Sequence, residues 1–229
     1  METVVVTGAA TALGRTVAGA LADPARTLVL GVQDPDAGDE LAARLAADHD
    51  VATVVVRADP RDEFDIERLM EQGARAGEAA GIDVVVPCAQ VYHGSVGDTP
   101  IDSAPYSAFD DTVRANTRGV FAAIREALPH LAADARVLVP TGSVAHGAAP
   151  GFGVFAVAAA ATEAVVRGFS EDRDDLAVAA LEVGEAAGTG GFDETAAAGL
   201  VSWAAEQPPE AVSGKRLTVE DWQRAADGA

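Results

Sequence analysis

The run TVVVTG at residues 3–8 carries no polar alternation, and neither do TLVLGV (27–32), VATVVVRA (51–58), IDVVVPCA (82–89), ARVLVPTG (135–142) and LAVAALEVG (176–184). A strand with one wet face alternates apolar and polar side chains, whereas a continuous Val-rich strand is buried on both faces. Helical spacing fills the intervals: 12–22, 34–49, 62–80, a long stretch over 105–131 broken or ended near Pro129, one opening near Gly153, and 194–206. GKRLTVED (214–221) reads as a last strand. Doubly buried strands separated by helices require a parallel sheet covered on both sides. The expectation is an α/β fold, one doubly wound domain over 1–229 with a parallel sheet of about seven strands flanked by six helices.

Charge narrows the surface chemistry. There are 36 acidic residues against 16 basic ones, a net charge of −20, and Lys215 is the only lysine. Such a surface repels nucleic acid and anionic lipid, so neither is an expected partner. A self-repulsion this large destabilises a compact chain unless salt screens it, and the composition resembles that of proteins from salt-loving cells. No run of about 18 apolar residues stands out as a membrane span. Glu2 sits where a secretory signal would carry positive charge, so a cytoplasmic location is expected. Cys88 is the single cysteine, which excludes an internal disulfide and predicts a small buried hydrophobe. No metal site is expected.

The turn after the first strand, TGAATALG (7–14), carries the first chemistry. Gly8 suits the tight turn, and position 12, here Ala12, is where a dinucleotide pyrophosphate comes closest to the backbone. Gly14 lets the helix pack on the sheet. The N–H groups at the helix start, at Ala12 and Leu13, face a phosphate with the positive end of the helix dipole behind them.

With Thr7 included, this turn resembles the Thr-Gly-x-x-x-(Gly/Ala)-x-Gly turn of the short-chain dehydrogenase/reductase family. The similarity runs through nearly the whole chain to VSGKRLTVED. The resemblance implies a Rossmann fold, NAD or NADP as cofactor, and a homo-dimer or homo-tetramer built through the helices near 105–131 and 153–170. It places Asp59 beside the adenine ring, a role compatible with the alternative of a helix cap at the strand end. It also makes Asp34 a candidate for the ribose 2′-hydroxyl, a weak lean to NAD, with N-cap of the next helix as the alternative. After the fourth strand the family shows Asn-Asn-Ala-Gly. This chain has Pro87, Cys88, Ala89 and Gln90, of which Ala89 alone matches. Gln90 puts a side chain where glycine would let the cofactor ribose approach.

Members of that family move hydride with Asn, Ser, Tyr and Lys. RANTRGVF (114–121) supplies Asn116 and VPTGSVAHG (139–147) supplies Ser143. The Tyr position, twelve residues on, is Phe155, and the Lys position four further is Ala159. A phenylalanine has no proton to give, and an alanine can neither lower a neighbouring pKa nor hold a ribose. The expected function is therefore a nucleotide-binding, nominally oxidoreductase protein without the usual hydride transfer. Two alternatives stand beside it. One is an active oxidoreductase rebuilt around Ser143 with His146 or His93, near Tyr92. The other is a scaffold or partner subunit that binds no nucleotide. The short segment between Gly184 and Glu194 reads as a trimmed lid.

Overall fold

The computed structural model describes residues 1–79 and 81–228. Its strands are β1 (Thr3–Thr7), β2 (Thr27–Val32), β3 (Ala52–Arg57), β4 (Ile82–Pro87), β5 (Leu131–Thr141), β6 (Ala177–Glu182), β7 (Gly184–Ala186), β8 (Gly191–Phe192) and β9 (Arg216–Thr218). Seven of them form one parallel sheet in the order β3-β2-β1-β4-β5-β6-β9. The order reverses between β1 and β4, which sets a crevice at the carboxyl edge of those two strands.

Successive side chains of each buried strand enter opposite layers. Val4, Val6, Leu28 and Leu30 meet Leu13, Val17 and Leu21 of α1 (Ala12–Ala22), Leu41 and Leu45 of α2 (Pro35–Asp48), and Leu200 of α7 (Glu194–Glu206). Val5, Val29, Val85 and Val137 meet Ile66, Leu69 and Met70 of α3 (Glu63–Ala76), Ile124 of α5 (Gly119–Ala127) and Val166 of α6 (Gly153–Asp172). The side chains packed against these strands are predominantly apolar in both layers, which is why the strands lack alternation.

Several boundaries differ from the sequence expectation. The long helix is α4 (Tyr106–Thr112), a π-helical turn over Val113–Arg118, then α5. At its end Gly119 N–H donates to Arg114 O, five residues back. A 3₁₀ turn over Leu128–His130 follows, so β5 begins at Leu131 rather than 135. α3 ends at Ala76, before Gly77, short of the expected 80; Ala80 lies outside the described residues. The segment read as a lid folds into the antiparallel hairpin of β7 and β8. A short α8 (Pro209–Val212) precedes β9.

The last strand stops at Thr218 because a helix begins there. Asp221 N–H donates to Thr218 Oγ1 (3.2 Å) while Thr218 N–H donates to Asp221 Oδ2 (2.9 Å), a reciprocal cap that starts α9 (Val219–Asp227). One helix, α6, is long and apolar enough by length and composition to cross a membrane, contrary to the sequence reading. In the fold it buries Thr162 and Glu163 among polar partners of β5 and the π-helical turn.

Candidate functional site

The glycine turn is built as its chemistry requires. Gly8 has φ +61°, and a Cβ there would sit 2.5 Å from Ala89 Cα and 2.6 Å from Ala89 N. At Gly14 a Cβ would meet Gly8 O at 2.2 Å, so any side chain would force α1 off the turn. Thr11 caps α1, its Oγ1 accepting from Gly14 N–H at 3.0 Å. Ala12 and Leu13 fill the first helical turn, where N–H groups have no carbonyl partner. The Leu13 side chain is buried in the core, so only its backbone is available to a phosphate; Ala12 is exposed. Thr7 is buried, and its Oγ1 accepts from Ala89 N–H at 3.4 Å, tying the exits of β1 and β4 together.

A cavity of about 290 Å³ opens beside this turn. Gly8, Ala10 and Thr11 form one wall, Val32, Gln33, Asp34 and Ala37 the second, and Ala58, Pro60 and Ala89 to Val91 the rest. Asp34 is the N-cap of α2, its Oδ1 accepting from Asp36 N–H at 3.1 Å, and it also lines the cavity. No arginine or lysine is among the lining residues. Asp59 lies between the lining residues Ala58 and Pro60 but turns to Arg61, accepting from its backbone N–H (2.9 Å) and Nη1 (3.4 Å).

Beyond β4 the crevice closes. Gln90 Nε2 donates to Pro140 O at 3.3 Å, and its Oε1 is buried without a donor among the described residues. The amide lies against Gly188 in the turn between β7 and β8, where a Cβ would come within 2.3 Å of Oε1. What remains is a cavity of about 20 Å³ bounded by Gln90, Asn116, residues 140–142, Phe155, Ala159, Thr162 and Ala187. Cys88 is buried, and burial pushes its thiol pKa up, away from reactivity.

Three of the four quartet positions, Asn116, Phe155 and Ala159, converge on that small cavity. Asn116, in the π-helical turn, is spent on the backbone: Nδ2 donates to Val91 O (2.9 Å) and Oδ1 accepts from Val91 N–H (2.7 Å). Ser143 opens a 3₁₀ turn after β5, and its hydroxyl makes no hydrogen bond among the described residues. Phe155 is only 6% exposed, its ring tilted against Tyr92 at 5.3 Å between centroids. The Tyr92 hydroxyl bonds Thr99 Oγ1 and donates to Gly151 O (3.1 Å), so it is not turned to Phe155's vacant para position as a proton donor. On the far side of Phe155 a cavity of about 350 Å³ is lined by Tyr92, His93, Thr99, Ser103 and Phe152.

Neither histidine side chain pairs with the Ser143 hydroxyl among the described residues; His146 meets Ser143 only through its backbone N–H, which donates to Ser143 O at 3.2 Å. His146 Nε2 lies 3.4 Å from Glu182 Oε2 and its Nδ1 3.7 Å from Glu163 Oε1. Arg216 completes this cluster at 3.7 Å from Glu182 and 3.9 Å from Glu163, and Thr141 Oγ1 donates to Glu163 at 3.3 Å. Sequence reasoning missed it, although Glu163 was a signal: it is the lone acid in AVAAAATEAVV, two helical turns beyond Phe155 on the same face. A second network was also missed. Arg61 Nε and Nη2 donate to the two oxygens of Asp111 at 2.6 and 2.8 Å, and His93 Nε2 lies 2.7 Å from Asp111 Oδ2.

The Arg61 guanidinium above all, with His93 beside it, holds the Asp111 carboxyl well below the usual carboxylate range. The unfolded chain therefore binds a proton at Asp111 before the folded one does. Its contribution is fully present above about pH 4 and is lost as pH falls toward the folded value. Asp111→Asn is expected to lose about 1–2 kcal/mol at pH 7 and to flatten that acid limb. Urea denaturation at pH 7 and below pH 4 checks it, and an unchanged limb would show that Asp111 carries no such linkage.

A family model described as "Enoyl-(Acyl carrier protein) reductase" matches residues 8–175. Among curated proteins, the chain is 28% identical over 166 residues to "Glycine betaine reductase ATRR" of Emericella nidulans, covering 71% of this chain and 12% of that protein. It is 26% identical over 177 residues to "NADPH-dependent aldehyde reductase-like protein, chloroplastic" of Arabidopsis thaliana, covering 71% of this chain and 63% of the relative. The chain thus spans less than two thirds of each of these relatives. Among solved structures, an alcohol dehydrogenase from the archaeon Thermococcus sibiricus, complexed with 5-hydroxy-NADP, superposes with TM-score 0.81 at 21% identity, covering 95% of this chain and 96% of the other. A short chain dehydrogenase from Burkholderia cenocepacia J2315 in complex with NADP gives TM-score 0.82 at 18% identity, with 96% of each chain covered. At these identities the likeness is one of fold.

Proposed function

The chain belongs to the short-chain dehydrogenase/reductase family, and from that premise we propose that it binds the adenosine end of NAD or NADP at the Gly8 turn without carrying out the family's hydride transfer. The observation that carries this reading is the pair Phe155 and Ala159 at the crevice edge, where the family's chemistry needs a phenol and an amine. Ser143 and Asn116 are present in the sequence, but Asn116 serves the backbone of Val91. Thr7, Gly8, Ala12, Leu13, Gly14, Asp34 and Ala89 are the residues proposed to hold the nucleotide, with Asp59 shaping the adenine side through Arg61. An acidic Asp34 and a lining without cations favour NAD over NADP.

Such a protein acts as a sensor or as a partner subunit. An exposed strip of small residues on α6, with Val157 there and Phe121 on α5, supports pairing of copies through these helices. The net charge of −20 supports a cytoplasm rich in salt. The test is calorimetric titration of the chain with NADH and then NADPH in multimolar KCl, followed by a carbonyl panel under the same conditions. Binding of NADH ahead of NADPH, with no carbonyl-dependent oxidation of either, is expected. Turnover of a carbonyl substrate would overturn the reading, and so would the absence of heat with any nucleotide.

A further inference from the structure

We propose that Gln90 makes this crevice a site for an adenine nucleotide that ends at its phosphates, of the ADP class, by filling the place of a second nucleoside. The proposal rests on the nucleotide reading above and goes beyond it. A dinucleotide bound at a doubly wound sheet crosses the point where the strand order reverses. Here that point lies between β1 and β4. With phosphate at the Gly8 turn, one nucleoside lies over the exits of β2 and β3, and the other must lie beyond the exit of β4.

The two places differ sharply in room. The first holds about 290 Å³, at the lower edge of the range found for small-ligand pockets. The second holds about 20 Å³. A single water needs about 10–15 Å³ by the same measure, so the second place admits one water and no riboside. Gln90 borders both cavities and is the partition between them.

Three contacts set the partition in place. Its Nε2 donates to Pro140 O, its amide packs on Gly188, and Asn116 clamps the backbone of the next residue, Val91. Gly188 has to be glycine for the amide to lie where it does. From the other side, Phe155 and Ala159 offer neither a donor nor a charge to a sugar. The Gln90 Oε1 atom has no donor among the described residues, so the plug is held at some cost, and its removal is expected to change affinity by a measurable factor without unfolding the chain.

The experiment titrates the full chain, Gln90→Gly and Gln90→Ala with ADP, NADH and NADPH by calorimetry in multimolar KCl, with thermal melts to confirm that each variant folds. The parent is expected to bind ADP at least as tightly as NADH. Both variants are expected to tighten NADH by about tenfold or more while moving ADP by less than about twofold. A parent that prefers NADH to ADP by about tenfold, or an NADH affinity unmoved by both variants, would overturn the role of Gln90 and leave the nucleotide reading standing. Absence of heat from all three nucleotides with all three proteins would overturn both.

Discussion

In a Gln90→Gly background, adding F155Y and A159K is expected to raise carbonyl-dependent oxidation of NADH or NADPH by about 10²–10⁴ over the parent chain. Position 155 borders both the small cavity beyond β4 and the larger one lined by Tyr92 and His93, so a phenol there faces the space where cofactor and carbonyl would meet. A free phenol titrates near pH 10 and is a poor acid at neutral pH. An ammonium one helical turn away on the same face lowers that value and adds a donor for a ribose. In the parent, the 20 Å³ beside Ala159 cannot take a lysine side chain while Gln90 is in place, which is why the third change is required. Initial rates with aliphatic and aromatic aldehydes report the gain, and ultraviolet titration reports the pKa of the introduced phenol independently of any substrate. A triple variant that binds the dinucleotide, shows the lowered phenol pKa and still turns nothing over would place the loss of activity outside these positions.

The fold was legible where local signals agreed with burial. α1 occupies 12–22, β2 occupies 27–32 and α7 occupies 194–206 as read, because continuous strand runs and capped helices leave few alternatives. Asp34 was legible as a cap, with Pro35 in the first turn. α9 was not: LTVE reads as a strand by its β-branched residues, and the reciprocal cap of Thr218 and Asp221 outweighs that preference. The β7–β8 hairpin has strands of three and two residues in a glycine-rich segment, too short for any period to register. At the site, Gly8 and Gly14 could be placed from the turn between strand and helix, and Phe155 and Ala159 from the family resemblance. Gln90 was visible as an intruder, but its reach to Pro140 and Gly188 joins three separate strand exits and no linear pattern encodes it. The same holds for Glu163, whose partners come from β5, β9 and the loop after Ser143.

Gly8→Ala is expected to destabilise the fold by about 2–5 kcal/mol. Two effects add there. A φ of +61° is left-handed, which an L-residue with a Cβ occupies at about 1–2 kcal/mol. The new methyl would also overlap Ala89 at 2.5–2.9 Å, and the nearest atoms are backbone, which cannot step aside as a side-chain tip can. Two other glycines separate the effects. Gly97 also has a left-handed φ, +77°, but nothing lies within 4 Å of its Cβ position, so Gly97→Ala should show the backbone strain alone, about 1–2 kcal/mol. Gly19 lies inside α1 with nothing within 4 Å, so Gly19→Ala should stabilise by about 0.5–1 kcal/mol. Denaturant midpoints at one salt concentration give the order Gly19→Ala above the parent, then Gly97→Ala, then Gly8→Ala. Because Gly8 and Ala89 both line the cavity proposed for the nucleotide, Gly8→Ala should also lose ADP binding while still folded, whereas Gly97→Ala should keep it. Equal stability of the two left-handed variants would mean that the exit of β4 yields to a methyl, and that glycine is held at position 8 by backbone conformation and not by the approach of β4.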